Sequence, residues 1–182
     1  MKRLSPSVRP LAALVLPFAV LAACSGPAKG PEAALAPGES LAFEGTWSAE
    51  GTRQTLKLES GHQASLLSLT GSLLLVGRRA LGVGFRAETI GMSDSATGGT
   101  GYSVWTDERG DKVYSRLSGQ PMGTGSQVTG VITGGTGRYA GLTGAYEFRW
   151  RYVIDTADGV VSGQTTDLKG TVTAARAETP RR

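Results

Sequence analysis

The chain has 182 residues, among them 27 glycines, one cysteine and one histidine, and its 19 basic and 15 acidic side chains give a formal charge of +4. A single cysteine excludes an intrachain disulfide, and one cysteine with one histidine cannot complete a zinc shell. Lys2, Arg3 and Arg9 carry much of the excess charge, and without them the chain is almost neutral, which removes the electrostatic case for a nucleic-acid partner.

Those three cations precede an uncharged apolar run from Leu11 to Ala23, too short to span a bilayer, and this is the layout of an export signal. The run ends in Leu21-Ala22-Ala23-Cys24. Small residues there let a peptidase reach the backbone, and the thiol that follows can take a diacylglyceryl group as a thioether. The four residues resemble the lipobox of bacterial lipoproteins. An ordinary secretory site with an incidental cysteine is the alternative. The resemblance implies a signal peptide over 1–23, lipidation of Cys24, and a membrane as partner, because a thioether-linked diacylglycerol with an N-acyl chain anchors stably. Processing there leaves 16 basic against 15 acidic residues, a formal charge of +1. Residues 24–42 hold Ser25, Gly26, Pro27, Gly30, Pro31, Pro37 and Gly38, a composition that cannot bury a core and reads as a flexible tether. Ser25 stands where lipoproteins retained at an inner membrane carry aspartate, so the resemblance places the chain in the cell envelope, at an outer membrane where there is one.

Residues 43–174 read as one all-β domain and residues 175–182, with Arg176, Arg181 and Arg182, as a solvated basic tail. Short runs rich in Thr, Val, Leu and aromatics are punctuated by glycine, with no capped helical stretch between them. In chain order the expected strands are Arg53 to Glu59, with Leu56 and Leu58 alternating against Thr55 and Lys57, and Ser65 to Val76, bent at Gly71. Next comes Leu81 to Ile90, with Leu81, Val83, Phe85 and Ala87 on one face. Tyr102 to Thr106, Lys112 to Ser118, Gln127 to Thr133, Ala145 to Ile154 and Val160 to Thr173 complete the set. Asp107 to Asp111 and Asp155 to Gly159 carry hairpin chemistry, so neighbours are antiparallel. About eight such strands lose their edges best by closing into a single antiparallel barrel, with a sandwich as the alternative.

The segment Ile132-Thr133-Gly134-Gly135-Thr136-Gly137-Arg138-Tyr139-Ala140-Gly141-Leu142-Thr143-Gly144 is a sharp strand-turn-strand corner. Its glycines allow the chain to turn and strands to approach, and Tyr139 can plug a barrel end. It resembles the corresponding stretch of dirigent proteins and allene oxide cyclase-like barrels, which are calycin-like. The resemblance covers about a dozen residues and implies a barrel with structural roles for Gly134, Gly135, Gly137, Gly141 and Gly144. A dinucleotide loop would need a helix after Gly135-Thr136-Gly137, and strand alternation follows instead, so no cofactor is expected.

Catalytic inventory is sparse. His62, beside Gly61, reads as an exposed turn residue, no serine lies in a nucleophile-elbow motif, and no metal is expected; Asp107, Glu108 and Asp111 read as a solvated hairpin tip rather than a calcium loop. The period-two row Tyr146, Phe148, Trp150 and Tyr152 points to one face, expected inward, with Glu147, Arg149 and Arg151 on the other. Four aromatics can fill a core or wall a pocket, and the residues leave both readings open. The resulting functional expectation is a membrane-anchored barrel binding a small apolar or aromatic ligand at those four residues. A cyclase- or isomerase-like enzyme and a structural envelope protein that forms a homo-oligomer through its outer wall are the competing readings.

Overall fold

The structure is a computed structural model and describes residues 35–77, 81–122 and 125–175. The expectations for the signal peptide, for Cys24, for most of the tether and for nearly all of the basic tail lie outside the described residues.

Eight strands follow one another: β1 Ser40–Glu59, β2 His62–Val76, β3 Gly84–Asp94, β4 Gly98–Thr106, β5 Lys112–Met122, β6 Gly125–Gly135, β7 Thr143–Asp155 and β8 Val160–Thr173. Each pairs antiparallel with the next, and β8 returns to β1 over Ser40↔Thr173 to Thr52↔Val160, so the sheet is a closed barrel. The expected all-β antiparallel barrel is therefore the fold. Closure leaves every ladder with a partner, which removes exposed sheet edges.

Three local expectations need correction. The first strand begins at Ser40 rather than at Arg53 and takes in the last residues assigned to the tether, because Thr171–Thr173 of β8 pair with them and Leu41 and Phe43 are buried. Leu56 and Leu58 are both exposed, since the stretch beyond Arg53 pairs with β2 alone. Leu81 and Val83 precede β3 rather than belonging to it: Leu81 is buried under the barrel end, whereas Val83 is exposed.

One irregularity sets which residues of β8 face inward. Val161, Gly163 and Thr165 are buried on the first half of the strand, and Leu168 and Val172 on the second, so the alternation changes phase. The switch falls at Asp167, which has φ +56°, and both neighbouring ladders shift register there. An extra residue in one strand is a β-bulge; it flips every later side chain to the other face, and aspartate tolerates the left-handed conformation it needs. Across the seam the Trp47 amide falls out of register and donates instead to Thr165 Oγ1 at 2.8 Å.

One end of the barrel is closed by the corner between β6 and β7. A single 3-10 turn, Gly137–Tyr139, lays Tyr139 under the sheet, where its ring meets Phe85 at 5.8 Å between centroids. The Tyr139 hydroxyl lies 3.1 Å from both the Leu81 carbonyl and Asp107 Oδ2, and it accepts from Arg138 Nε at 2.8 Å. Arg138 Nη2 reaches Asp107 Oδ2 at 2.8 Å, and Asp107 Oδ1 accepts the amides of Arg109 and Asp111. The Asp107 side chain is only 1% exposed, so of the acidic residues expected at a solvated tip Glu108 is exposed, Asp111 half-buried and Asp107 buried beneath it. Burial by itself would raise the Asp107 carboxyl, but the two amides, the Tyr139 hydroxyl and the Arg138 guanidinium together hold it below the ordinary carboxylate value.

Three variants test this end. Gly137 has φ +51°, and a methyl there would overlap the Asp111 carboxylate, whereas Gly110 has φ +85° with open space around it. Gly110→Ala is expected to cost about 1 kcal/mol of backbone strain, and Gly137→Ala distinctly more, in denaturant unfolding. Asp107→Ala, which strands a largely buried guanidinium and the Tyr139 hydroxyl, is expected to cost about 3–5 kcal/mol in the same measurement.

Candidate functional site

The four aromatics of β7 do face inward. Tyr146, Phe148 and Trp150 are buried and Tyr152 is half-buried, while Glu147, Arg149 and Arg151 are exposed on the outer wall. Glu147 pairs with Lys169 at 3.2 Å and Arg149 with Asp167 at 3.6 Å, surface ion pairs of little energetic weight. Glycines on the flanking strands make room for the rings: a methyl at Gly130 would overlap the Tyr146 ring, and one at Gly163 the Trp150 indole.

The row then divides between two environments. Tyr146 sits in the packed half, with Trp105 at 4.9 Å and Phe148 stacked at 6.2 Å, and its hydroxyl is 2.8 Å from Ser115 Oγ. Burial pushes the Tyr146 phenol well above its ordinary value. The void in this region is about 10 Å³, at the limit of what a single water needs. Phe148, Trp150 and Tyr152 instead reach the other half, where a cavity of about 380 Å³ opens at the end of the barrel away from Tyr139.

Side-chain size accounts for that cavity. Along β3 the inward positions run Phe85, Ala87, Thr89, Gly91 and Ser93; along β4 they run Trp105, Ser103, Gly101 and Gly99; along β5, Val113, Ser115, Leu117 and Gly119. Each row starts with a larger apolar residue at the Tyr139 end and finishes in glycine or serine at the mouth, with Leu117 the one large side chain between. Opposite stands the aromatic wall of Trp47, Phe148, Trp150 and Tyr152, its rings tilted or edge-on to one another, so one side is aromatic while the other is mostly backbone and small side chains. Hydroxyls in the small-residue wall satisfy one another, Thr89 Oγ1 donating to Ser103 Oγ at 3.0 Å and Ser65 Oγ lying 2.9 Å from Thr55 Oγ1.

Charge is confined to the rim. Arg53 Nη2 meets Asp155 Oδ1 at 2.6 Å, and its guanidinium lies 5.4 Å from the Tyr152 ring centroid. His62, read from sequence as an exposed turn residue, is partly buried and ties two hairpins together. Its Nε2 is 3.0 Å from Asp94 Oδ2 and its Nδ1 3.5 Å from Glu59 Oε1, because β2 starts at this residue and brings it over the end of β3. Asp94 Oδ1 also accepts the amides of Ala96 and Thr97. Among the described residues no group of three or more His, Cys, Asp or Glu is placed to hold a metal ion. Among the described residues three buried side-chain N–H groups have no acceptor: Trp47 Nε1, Trp150 Nε1 and Arg53 Nε.

Of the residues singled out from sequence, Phe148, Trp150 and Tyr152 line the cavity and Tyr146 does not. Trp47 and Arg53 were missed, as were the glycines opposite. The signal for them was present, since Gly91, Gly99, Gly101 and Gly119 all fall on inward positions near one end. No family model matches this chain, and no curated protein or solved structure matches it either.

The rim pair gives a pH dependence. The hydrogen bond to Asp94 raises the His62 pKa above its ordinary 6.5, and the bond from His62 lowers Asp94 to about 2. The histidine's contribution is full below pH 6.5 and is lost as pH rises through its folded value. That of Asp94 is full above pH 3.8 and is lost as pH falls toward 2. The clamp is therefore strongest between pH 3.8 and 6.5. His62 is the sole histidine. An NMR titration should accordingly show one imidazole with a midpoint above 6.5 that moves down in Asp94→Asn.

Proposed function

We propose that this chain is a lipid-anchored protein of the bacterial envelope whose barrel binds a small apolar or aromatic molecule through its open mouth. The observation that carries the binding reading is the half-open interior: a cavity of about 380 Å³ between an aromatic wall and a row of glycine and small hydroxyl residues. That volume falls within the range of small-molecule sites, which are mostly apolar with few polar groups. The Leu21-Ala22-Ala23-Cys24 motif supports the anchor, and the Gly134 to Gly144 corner supports kinship with dirigent and allene oxide cyclase-like barrels.

The anchor is tested by Cys24→Ser, which should abolish palmitate labelling; label that persists overturns the lipoprotein reading. Binding is tested with N-phenyl-1-naphthylamine, an uncharged fluorescent probe expected to bind the native protein saturably at one site. Tyr146→Ala should cost about 3–5 kcal/mol of stability, because the ring fills packed space. Tyr152→Ala at the cavity mouth should cost far less and weaken probe binding instead. A native protein that takes up no probe is a packed structural barrel.

A further inference from the structure

Three unpartnered N–H groups bear on the chemistry of the ligand. Buried polar groups in folded proteins are nearly always hydrogen-bonded, and each exception calls for a reason. Here the exceptions among the described residues are Trp47 Nε1, Trp150 Nε1 and Arg53 Nε. All three residues line the same cavity, and all three atoms are donors. The two indoles are neighbours, with ring centroids 5.2 Å apart and planes tilted by 44°. The groups left unmet in this wall are donors set back in its packing, whereas the rim carboxylates Asp94 and Asp155 already hold partners.

Rim charge narrows the partner further. The guanidinium of Arg53 is already neutralised by Asp155, and Asp94 contributes a second carboxylate to the cavity lining. An anionic ligand would have to displace Asp155 and face Asp94. A cationic ligand would bring donors to a wall whose unmet groups are donors. An uncharged acceptor on an apolar body suits both constraints, and a carbonyl oxygen is the strongest such acceptor that an aromatic framework carries without charge.

We infer that the cavity selects uncharged aromatic carbonyl compounds, ketones or quinones of two to three rings, with the indole N–H groups of Trp47 and Trp150 as donors to the carbonyl oxygen. This rests on the small-molecule-binding reading and specifies its ligand. The rings lie against the aromatic wall, and the terminal torsion of an indole is soft enough for an N–H to turn toward an acceptor seated beside it.

The test is calorimetric titration of the native chain with three matched probes: fluorene, 9-fluorenone and fluorene-2-carboxylate. Fluorenone is expected to bind about fivefold to tenfold tighter than fluorene, the effect of one net hydrogen bond, and the carboxylate no tighter than fluorene. Trp150→Phe keeps a ring and removes the donor, so it should weaken fluorenone binding more than fluorene binding and bring the ratio of the two affinities close to one. Trp47→Phe serves as the second variant. In the native protein, fluorenone should also shift the indole N–H proton resonances of Trp47 and Trp150 downfield, which fluorene should not do. Equal binding of fluorene and fluorenone, or tightest binding of the carboxylate, overturns the carbonyl inference and leaves the pocket standing. Uptake of N-phenyl-1-naphthylamine with no binding of any fluorene does the same. Failure of every probe, the naphthylamine included, removes the pocket itself.

Discussion

An eight-stranded barrel encloses a channel just wide enough for the side chains that point into it, so the interior is decided position by position by their size. Once β8 pairs with β1, no rearrangement of strands can close a gap left by a small residue. Phe85, Trp105 and Val113 lie toward the Tyr139 end, and Gly91, Gly101 and Gly119 toward the mouth, on strands that run side by side. The solid half and the hollow half are thus two ends of one gradient rather than two designs. The packed half supplies the buried apolar area on which folding depends, and it lets the other half remain open.

That division requires the solid end to be sealed without leaving polar groups stranded. Tyr139, Arg138 and Asp107 achieve this as a unit, since each oxygen of the carboxylate has two donors and the phenol is both donor and acceptor. A buried ion pair contributes little net stability, but a half-satisfied one is costly, so the set is kept or lost together. Gly137 belongs to the same constraint because the turn that delivers Tyr139 passes against Asp111. The bulge at Asp167 does comparable work on the far wall. By switching phase it buries Thr165 on one side and Leu168 on the other, and Thr165 takes the amide that Trp47 cannot pair in the ladder. The aromatic wall of the cavity therefore depends on an irregularity in a neighbouring strand.

Much of the architecture was legible in the chain. Eight runs of β pattern gave eight strands, and strict alternation from Tyr146 to Tyr152 placed that row inward, because period two leaves a residue no other choice of face. What escaped was whatever depends on a partner distant in sequence. Ser40 to Ala42 look like linker until Thr171–Thr173 are set beside them, and Asp107 looks solvated until Tyr139 and Arg138 arrive from another corner. His62 acquires its role from Asp94, thirty-two residues later. The phase change in β8 has no composition cue. The cavity is a different case, for its glycines were visible one by one, and only the register that aligns Gly91 with Gly101 makes them a surface.

The outer wall bears on the competing structural reading. Leu66 pairs directly with Met92, and Ile90 with Tyr102, all four exposed, so part of the β2, β3 and β4 surface is apolar outside as well as lined inside. On that wall Arg86 and Glu88 stand beside the same residues and keep the surface mixed. Scattered apolar side chains are normal on a protein surface and do not by themselves call for a partner. Inside, by contrast, the aromatic rings face glycine across unfilled space, and the residues whose side-chain N–H groups go unmet line that one space. A barrel whose role were only to pack against copies of itself would gain stability by filling its own interior with larger inward residues on β3 to β5, as it does at the opposite end. That the filling stops partway, where donors remain to be met, favours an interior shaped for an occupant over a wall shaped for neighbours.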